Sequence, residues 1–253
     1  MEFVRRMTST PTPAAAMPSA TLTARSWTML LLLGAIWGGA FFFARIAVQE
    51  IPPFTLVLLR VALAAAFLHL VLLAMRVSFR AVLPHWLAFL GLAMLNNVVP
   101  FSLMFAGQTE IGAGLASVLN ATTPFWTMLL ANALLPDERL TAQRAVGIVL
   151  GIAGTAVMVA PGLIGGLGGP VWAKFALIGT ALSYACAGIY SRRVVTLRPE
   201  LMATGQLTAS TVIMLPVVLL TQDPTVLLAV GAGTWGAVLG LSLVATALAY
   251  LIF

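Results

Sequence analysis

The most constraining feature of this chain is a series of apolar runs, each about 20 residues long and almost free of charge. A helix of that length spans about 30 Å, which matches the hydrocarbon layer of a bilayer. Charged residues make up 8% of the chain and hydrophobic residues 61%, whereas a soluble domain carries roughly 25% charged residues. The sequence therefore predicts an integral membrane protein of the all-α class.

Prolines, arginines and short polar linkers divide the apolar sequence into eight segments, each predicted to be one transmembrane helix. The predicted helices span about residues 28–48, 54–75, 86–106, 112–135, 142–160, 171–191, 200–220 and 234–253. Residues 107–110 are predicted to link the third helix to the fourth. Residues 1–26 are rich in Pro, Ala, Ser and Thr and lack apolar periodicity, which predicts a disordered, cytoplasmic tail.

The basic residues predict how the chain is oriented in the membrane. With a cytoplasmic N-terminus, the inner segments hold ten arginines, namely Arg5, Arg6, Arg25, Arg76, Arg80, Arg139, Arg144, Arg192, Arg193 and Arg198. The outer segments then hold only Arg45 and Lys174. This bias follows the positive-inside rule and favours a cytoplasmic N-terminus. Because the arginines are scattered at helix ends, the net charge of +6 does not indicate a nucleic-acid partner.

An internal similarity relates the two halves of the chain at an offset of 146–149 residues. The matched positions are Trp37 with Tyr184, Arg60 with Gln206, Trp86 with Trp235, Asn97 with Thr246, and Phe101 with Tyr250. A first unit of five helices forces the second unit to enter the membrane inverted, as in many secondary transporters. We expect a five-helix repeat at residues 27–160 and a three-helix, incomplete repeat at 170–253; chance similarity between apolar segments is the alternative.

Five stretches of the sequence resemble the EamA family of the drug/metabolite transporter superfamily. They are Gly34–Phe41, Pro53–Arg60, Ala116–Thr127, Asp137–Leu140 and Gly147–Gly154. The resemblance implies ten helices in two five-helix repeats, cytoplasmic termini, and movement of small metabolites, often outward. About eight of these ten helices have a counterpart here, so the chain is expected to be a fragment of such a transporter.

Two prolines inside predicted helices point to a substrate pathway. A helical proline leaves the carbonyl four residues earlier without its hydrogen bond. Pro100 is therefore predicted to free the carbonyl of Asn96, and Pro124 that of Asn120. Broken helices at membrane depth face protein or a watery cavity. We predict that Asn96, Asn97 and Asn120 line a central pathway; asparagines that only join neighbouring helices are the alternative.

Further polar and aromatic residues extend this prediction. Thr123 belongs to a polar face of the fourth helix, and Thr246 and Tyr250 form a similar face on the eighth. Hydroxyl groups that only bond their own helix backbone are the alternative. Trp37 and Tyr184 occupy matched repeat positions and are predicted to form aromatic walls for a flat or apolar substrate. Aromatic side chains that face lipid are the alternative for this pair.

Arg60 is the one charged residue well inside a predicted helix. An arginine at a helix centre costs about 2.5–3.5 kcal/mol on membrane insertion. One interpretation is that the side chain extends to the outer membrane surface. The other is that it contacts an anion in an outward-facing vestibule, with Glu110 as its balancing acid.

The function predicted from these features is a secondary transporter that moves small metabolites by alternating access in the bacterial inner membrane. No His, Cys, Asp or Glu cluster suits catalysis or metal binding, so neither an enzyme nor a metal or other cofactor is predicted. The expected partners are a small-molecule substrate and the lipid bilayer, and a homodimer is left open. The alternatives are a non-transporting membrane scaffold and a nucleotide-sugar carrier, although few embedded basic residues are present to bind a polyphosphate.

Overall fold

The computed structural model describes residues 23–135, 140–165, 168–194 and 197–252, and within them the backbone forms helices and turns without a β-strand. The α-helices are α1 (Ala24–Ala47), α2 (Pro53–Ala74), α3 (Trp86–Ala93), α4 (Val99–Glu110), α5 (Ala113–Asn120), α6 (Thr123–Leu134), α7 (Ala142–Gly165), α8 (Val171–Ser191), α9 (Pro199–Thr221), α10 (Ala232–Leu239) and α11 (Ala249–Ile252). Two π-helical segments are π1 (Met94–Val98) and π2 (Gly240–Leu248), and two 3₁₀ helices are Phe79–His85 and Pro224–Ala229. Most of the predicted N-terminal tail lies outside the described residues.

Six helices in the described part of the chain are long and apolar enough to cross a membrane. They are Ser26–Ala47, Pro53–Ala74, Phe79–Glu110, Val171–Ser191, Pro199–Thr221 and Ala232–Leu251. A shorter apolar stretch, Ala142–Met158, lies in α7, and α5 and α6 fill the remaining predicted segment. Every predicted segment is therefore helical, and the prediction of an all-α integral membrane protein is confirmed.

The helix predicted at 112–135 is in fact divided into α5 and α6. Pro124 lies in the first turn of α6 and has no N–H to donate to the preceding turn. The Thr123 hydroxyl instead donates to the Asn120 carbonyl at 2.7 Å. The carbonyl that the proline was predicted to free therefore has a local donor, and the chain changes direction between two short helices.

The linker predicted at 107–110 is also wrong, because α4 continues as a helix to Glu110. Gly107 is buried where α4 crosses α8. A Cβ atom at this position would lie 2.9 Å from the carbonyl oxygen of Ala173 and would overlap Cδ2 of Leu177. Gly107, the first residue of the predicted linker, is therefore a position of close helix packing.

The buried core joins α1, α2, α4, α8, α9 and π2. Its centre is the long contact between α2 and α9, which crosses from one predicted repeat to the other. Large apolar side chains also cover the outer surface, and Leu73, Leu87 and Leu220 are 74%, 82% and 85% exposed. Lipid tails are as apolar as leucine. This outer surface suits a bundle surrounded by lipid.

Glu50 connects the turn between α1 and α2 to the start of α10. Its Oε2 accepts the backbone N–H of Gly231, the residue that caps the N-terminus of α10, at 2.7 Å. This N–H, with a smaller contribution from the Thr234 side chain, lowers the pKa of the Glu50 carboxyl below its ordinary value of 4.5. The ionised carboxylate therefore helps to hold the two helix ends together.

Replacing Glu50 by glutamine is expected to lower the melting temperature at about pH 7 and to have little effect in acid. A carboxyl whose pKa is depressed by folding stabilises the fold above its unfolded pKa, and this contribution is lost as the pH falls through the folded pKa. Thermal unfolding in detergent as a function of pH checks this. Glu110→Gln, which removes an exposed carboxylate at the end of α4, is the control. A Glu50→Gln effect of equal size at every pH would contradict the explanation.

Candidate functional site

The first part of the candidate site is the π-helical segment π1 between α3 and α4. Here the backbone N–H of Val99 bonds the carbonyl of Met94, five residues back instead of four. In this register the carbonyl opposite Pro100 is that of Leu95, and the proline cannot donate to it. The hydroxyl of Ser183 on α8 donates to this carbonyl at 2.7 Å. Pro100 therefore frees the carbonyl of Leu95 and not, as predicted, that of Asn96.

The segment π2 occupies the matched position in the second half of the chain. Within it, the Thr246 hydroxyl donates to the carbonyl of Leu241, five residues back, at 2.9 Å. The same hydroxyl oxygen accepts the Nε–H of Arg60 on α2 at 2.8 Å. Because π-helical turns are rare and occur often at functional sites, two of them at matched positions mark this region of the bundle.

An amide and hydroxyl network joins π1 to α9 and α11. Asn96 Nδ2 donates to Gln206 Oε1 at 3.1 Å and to Tyr250 Oη at 2.9 Å. Asn97, which is fully buried, donates to Ser210 Oγ at 2.9 Å and accepts from Tyr250 Oη at 3.3 Å. Each of these groups has a defined partner, as buried polar groups require.

Arg60 is the charged group of this region and is only 5% exposed. Its guanidinium lies over the ring of Phe101, with Cζ 3.7 Å from the ring centroid, and the phenol groups of Tyr184 and Tyr250 lie in its neighbourhood. Its Nη1 atom is buried and has no hydrogen-bond partner. The side chain is thus enclosed by protein and directed at Thr246, which disagrees with an extended conformation at the membrane surface.

Six of the predicted site residues lie together in the structure, and the other three lie on α1 and at the break between α5 and α6. Those that meet around Arg60 and the amide network are Arg60, Asn96, Asn97, Tyr184, Thr246 and Tyr250. Trp37 lies on α1 and is 46% exposed, while Asn120 and Thr123 lie at the break between α5 and α6. The Asn120 Oδ1 atom is buried without a hydrogen-bond partner.

Sequence reasoning missed Gln206, Ser210, Ser183 and Phe101 as members of this region. Gln206 had a signal, because the repeat aligns it with Arg60. Ser183 and Ser210 had none, since a helical serine most often bonds its own backbone. In the described part of the chain, no group of three or more His, Cys, Asp and Glu residues could hold a metal ion. The region offers amides, hydroxyls and one guanidinium, which can bind a polar or anionic molecule.

A separate cavity of about 370 Å³ lies among α6, α7 and α8. Its lining is almost entirely apolar and includes Phe125, Trp126 and Phe175. None of the residues of the amide network contributes to it. The polar region around Arg60 is therefore the better candidate for recognising a specific molecule.

Known proteins are similar to this chain in sequence and in fold. It is 31% identical over 170 residues to the uncharacterized inner membrane transporter YedA of Escherichia coli (strain K12), covering 65% of this chain and 52% of YedA. It is 29% identical over 174 residues to the "Probable amino-acid metabolite efflux pump" of Salmonella typhimurium (strain LT2), covering 68% of this chain and 55% of that protein. The chain spans about half the length of these curated relatives.

One crystal structure, whose chain is 20% identical in sequence, matches with a TM-score of 0.63 and covers 92% of this chain and 78% of that one, which shows a shared fold. The sequence profile of the EamA-like transporter family matches residues 25–160, more than half of the chain. Together with the long apolar helices, this match identifies a multi-pass membrane protein. The chain belongs to the EamA-like transporter family.

Proposed function

We propose that this chain forms the substrate-binding part of a secondary transporter that moves small polar metabolites out of the bacterial cytoplasm by alternating access. The observation that carries the proposal is a pair of hydrogen bonds that cross between the predicted repeats. Arg60 on α2 bonds Thr246 on π2, and Gln206 on α9 bonds Asn96 on π1. The repeat alignment pairs Arg60 with Gln206 and Thr246 with Asn97, the neighbour of Asn96, so the two bonds correspond under an inverted repeat to within one residue.

This arrangement is suited to alternating access. Transporters with inverted repeats bind substrate near the bilayer midplane, where the repeats meet, and rock one repeat against the other. Polar groups buried at that interface are costly to the bundle and mark substrate paths. The support for this proposal is that Arg60 and Asn97 are buried polar residues where the two predicted repeats are in contact. The name of the Salmonella relative, together with the amides and the guanidinium, favours amino-acid metabolites as cargo.

The orientation and surroundings of the transporter are part of the proposal. The arginine distribution favours a cytoplasmic N-terminus, and YedA is named as an inner membrane protein. We therefore propose the bacterial cytoplasmic membrane as its location. A homodimer stays a prediction.

The test is flux of radiolabelled L-amino acids from liposomes that contain the purified chain. The native protein is expected to release at least one amino acid faster than empty liposomes do. Asn96→Ala is expected to slow release about tenfold, because it removes two hydrogen bonds of the network. Asn132→Ala, an asparagine that accepts the backbone N–H of Leu140 at the end of α6, is the control. If liposomes with the native protein release no amino acid faster than empty liposomes do, the result would favour a non-transporting scaffold.

A further inference from the structure

The guanidinium of Arg60 is held in a fixed orientation by contacts on one edge and one face. Its Nε–H donates to Thr246 Oγ1 at 2.8 Å, and its Cζ lies 3.7 Å from the centroid of the Phe101 ring. The Phe105 ring centroid is 5.8 Å away. A guanidinium stacked in this way keeps its terminal nitrogens in a defined direction.

One of those terminal nitrogens is unused. Nη1 is buried and has no hydrogen-bond partner, and the residue as a whole is only 5% exposed. A buried donor that carries charge costs more when unpaired than a neutral one does. The folded chain therefore leaves a binding group free at the point where the two predicted repeats meet.

The described part of the chain also supplies no acid to neutralise this charge. Glu50 binds the N–H of Gly231, Asp223 binds Thr225, and the Glu200 carboxylate pairs with Arg198 at 2.5 Å. Glu110, which the sequence suggested as a balancing acid, is exposed at the end of α4. A buried charge without a counterion is expensive, and such residues in membrane proteins mark substrate or ion sites.

We infer that the transported molecule carries one carboxylate and that this carboxylate binds the terminal nitrogens of Arg60. The guanidinium edge matches a carboxylate with two parallel hydrogen bonds. A single arginine balances a single negative charge, whereas a phosphate or polyphosphate would bring charge that no second cation in the cluster offsets. The rest of the molecule would bind the amides of Asn96 and Gln206 and the phenol of Tyr250 in exchange for their hydrogen bonds to one another.

The inference, which rests on the proposed function, also gives the hydrogen bond between Arg60 and Thr246 a role in transport. Thr246 belongs to the second predicted repeat, so rocking of the repeats would separate it from Arg60. A substrate carboxylate bound at the terminal nitrogens offsets the loss of the Arg60 Nε–H hydrogen bond in that movement. Binding thereby compensates for opening the interface, which a ligand can do only by differential affinity for the two states.

The test is ligand-dependent thermal unfolding of the purified protein in detergent. The probes are the standard L-amino acids and the amides made from the same amino acids, because amidation removes the carboxylate charge and keeps the side chain and the overall size of the molecule. At least one amino acid is expected to raise the melting temperature, as selective binding to the folded state does, while its amide is expected to have no effect. Equal stabilisation by an amino acid and its amide, or no stabilisation by any amino acid, would overturn the inference.

Variants assign the effect to Arg60. Arg60→Lys keeps the charge but loses the planar guanidinium that makes two parallel hydrogen bonds to a carboxylate. This variant is expected to weaken amino-acid binding about tenfold or more. Arg60→Met is expected to abolish binding, while Arg80→Met, which removes the same charge from an exposed position, is expected to leave binding unchanged. Retained binding in Arg60→Met would contradict the inference. Melting temperatures without ligand establish that each variant is folded.

Failure of this inference and failure of the proposed transport are distinguishable. Carboxylate-selective binding without flux in liposomes would support the Arg60 site and overturn the transport function. Flux of solutes that show no dependence on a carboxylate or on Arg60 would support transport and overturn the inference.

Discussion

Replacing Gly107 by alanine is expected to lower the free energy of unfolding by about 1–3 kcal/mol. The added Cβ would overlap Leu177 Cδ2 and would lie 2.9 Å from the carbonyl oxygen of Ala173, both on α8. Leu177 is fully buried among its neighbours. The Ala173 carbonyl is part of the helix backbone and moves only with α8. The added methyl group therefore forces α4 and α8 apart.

The matched control is Gly188→Ala, also in the described part of the bundle and inside α8. No atom lies within 4 Å of a Cβ built at Gly188. Alanine favours the helix by up to about 1 kcal/mol over glycine, so this variant is expected to be as stable as the native protein or slightly more stable. Unfolding in mixed detergent and SDS micelles, followed by tryptophan fluorescence, compares the two variants. Equal stabilities would contradict the close-packing explanation.

Glycine positions illustrate what the sequence can predict about packing. The spacing of Gly147 and Gly151 is typical of close helix contacts. In the structure a Cβ at Gly151 would overlap the ring of Phe125, whereas Gly147 has open space around it. Gly91 has no such spacing, yet a Cβ added there would lie 2.6 Å from Tyr190 Oη. The spacing of glycines identifies a helix face made of small residues, but only the tertiary arrangement determines which helix lies against that face.

The helices themselves were predictable because length and hydropathy decide whether a segment can cross a membrane. Their interruptions were not. A π-helical turn adds one residue to one turn and leaves the average hydropathy of a 20-residue segment almost unchanged. That one added residue determines whether Pro100 leaves the carbonyl of Leu95 or that of Asn96 without its backbone donor. Its donor, Ser183, is known only once α8 lies beside π1.

The candidate site was partly predictable for a related reason. Aligning the repeats identifies equivalent positions, such as Arg60 with Gln206, but not the positions that touch. The hydrogen bonds join Arg60 to Thr246 and Gln206 to Asn96, across the repeats. Charge alone was also an incomplete guide, since Lys174, assigned to an outer segment, is fully buried in α8 with Nζ 3.4 Å from the Met158 carbonyl oxygen.

The hydrogen bond between Arg60 and Thr246 is expected to have a larger energetic consequence than the one between Gln206 and Asn96. Thr246→Val keeps the side-chain shape but removes the acceptor of the Arg60 Nε–H and the donor to the Leu241 carbonyl. Because a buried charged donor is left without its partner, the variant is expected to lose about 1.5–3 kcal/mol of stability. The same SDS unfolding measurement quantifies the loss.

A double-mutant cycle isolates the part of this loss that is due to Arg60. In an Arg60→Met background the charged donor is absent, so Thr246→Val is expected to cost less, with a coupling of about 0.5–3 kcal/mol between the two positions. The control is Ser242→Ala, which removes another buried hydroxyl of π2, one that donates to the Val238 carbonyl of α10. This variant is expected to show no coupling to Arg60. An equal cost of Thr246→Val in both backgrounds would contradict the contact.

The Arg60→Met variant by itself carries a further expectation. Replacing an uncompensated buried charge by an apolar side chain of similar length is often neutral or stabilising. Arg60→Met is therefore expected to match or exceed the native protein in stability while losing amino-acid binding. A marked loss of stability would mean that the arginine serves mainly to hold α2 against π2. A gain of stability together with a loss of binding would mean that the buried guanidinium of Arg60 lowers the stability of the bundle and serves to bind the transported molecule.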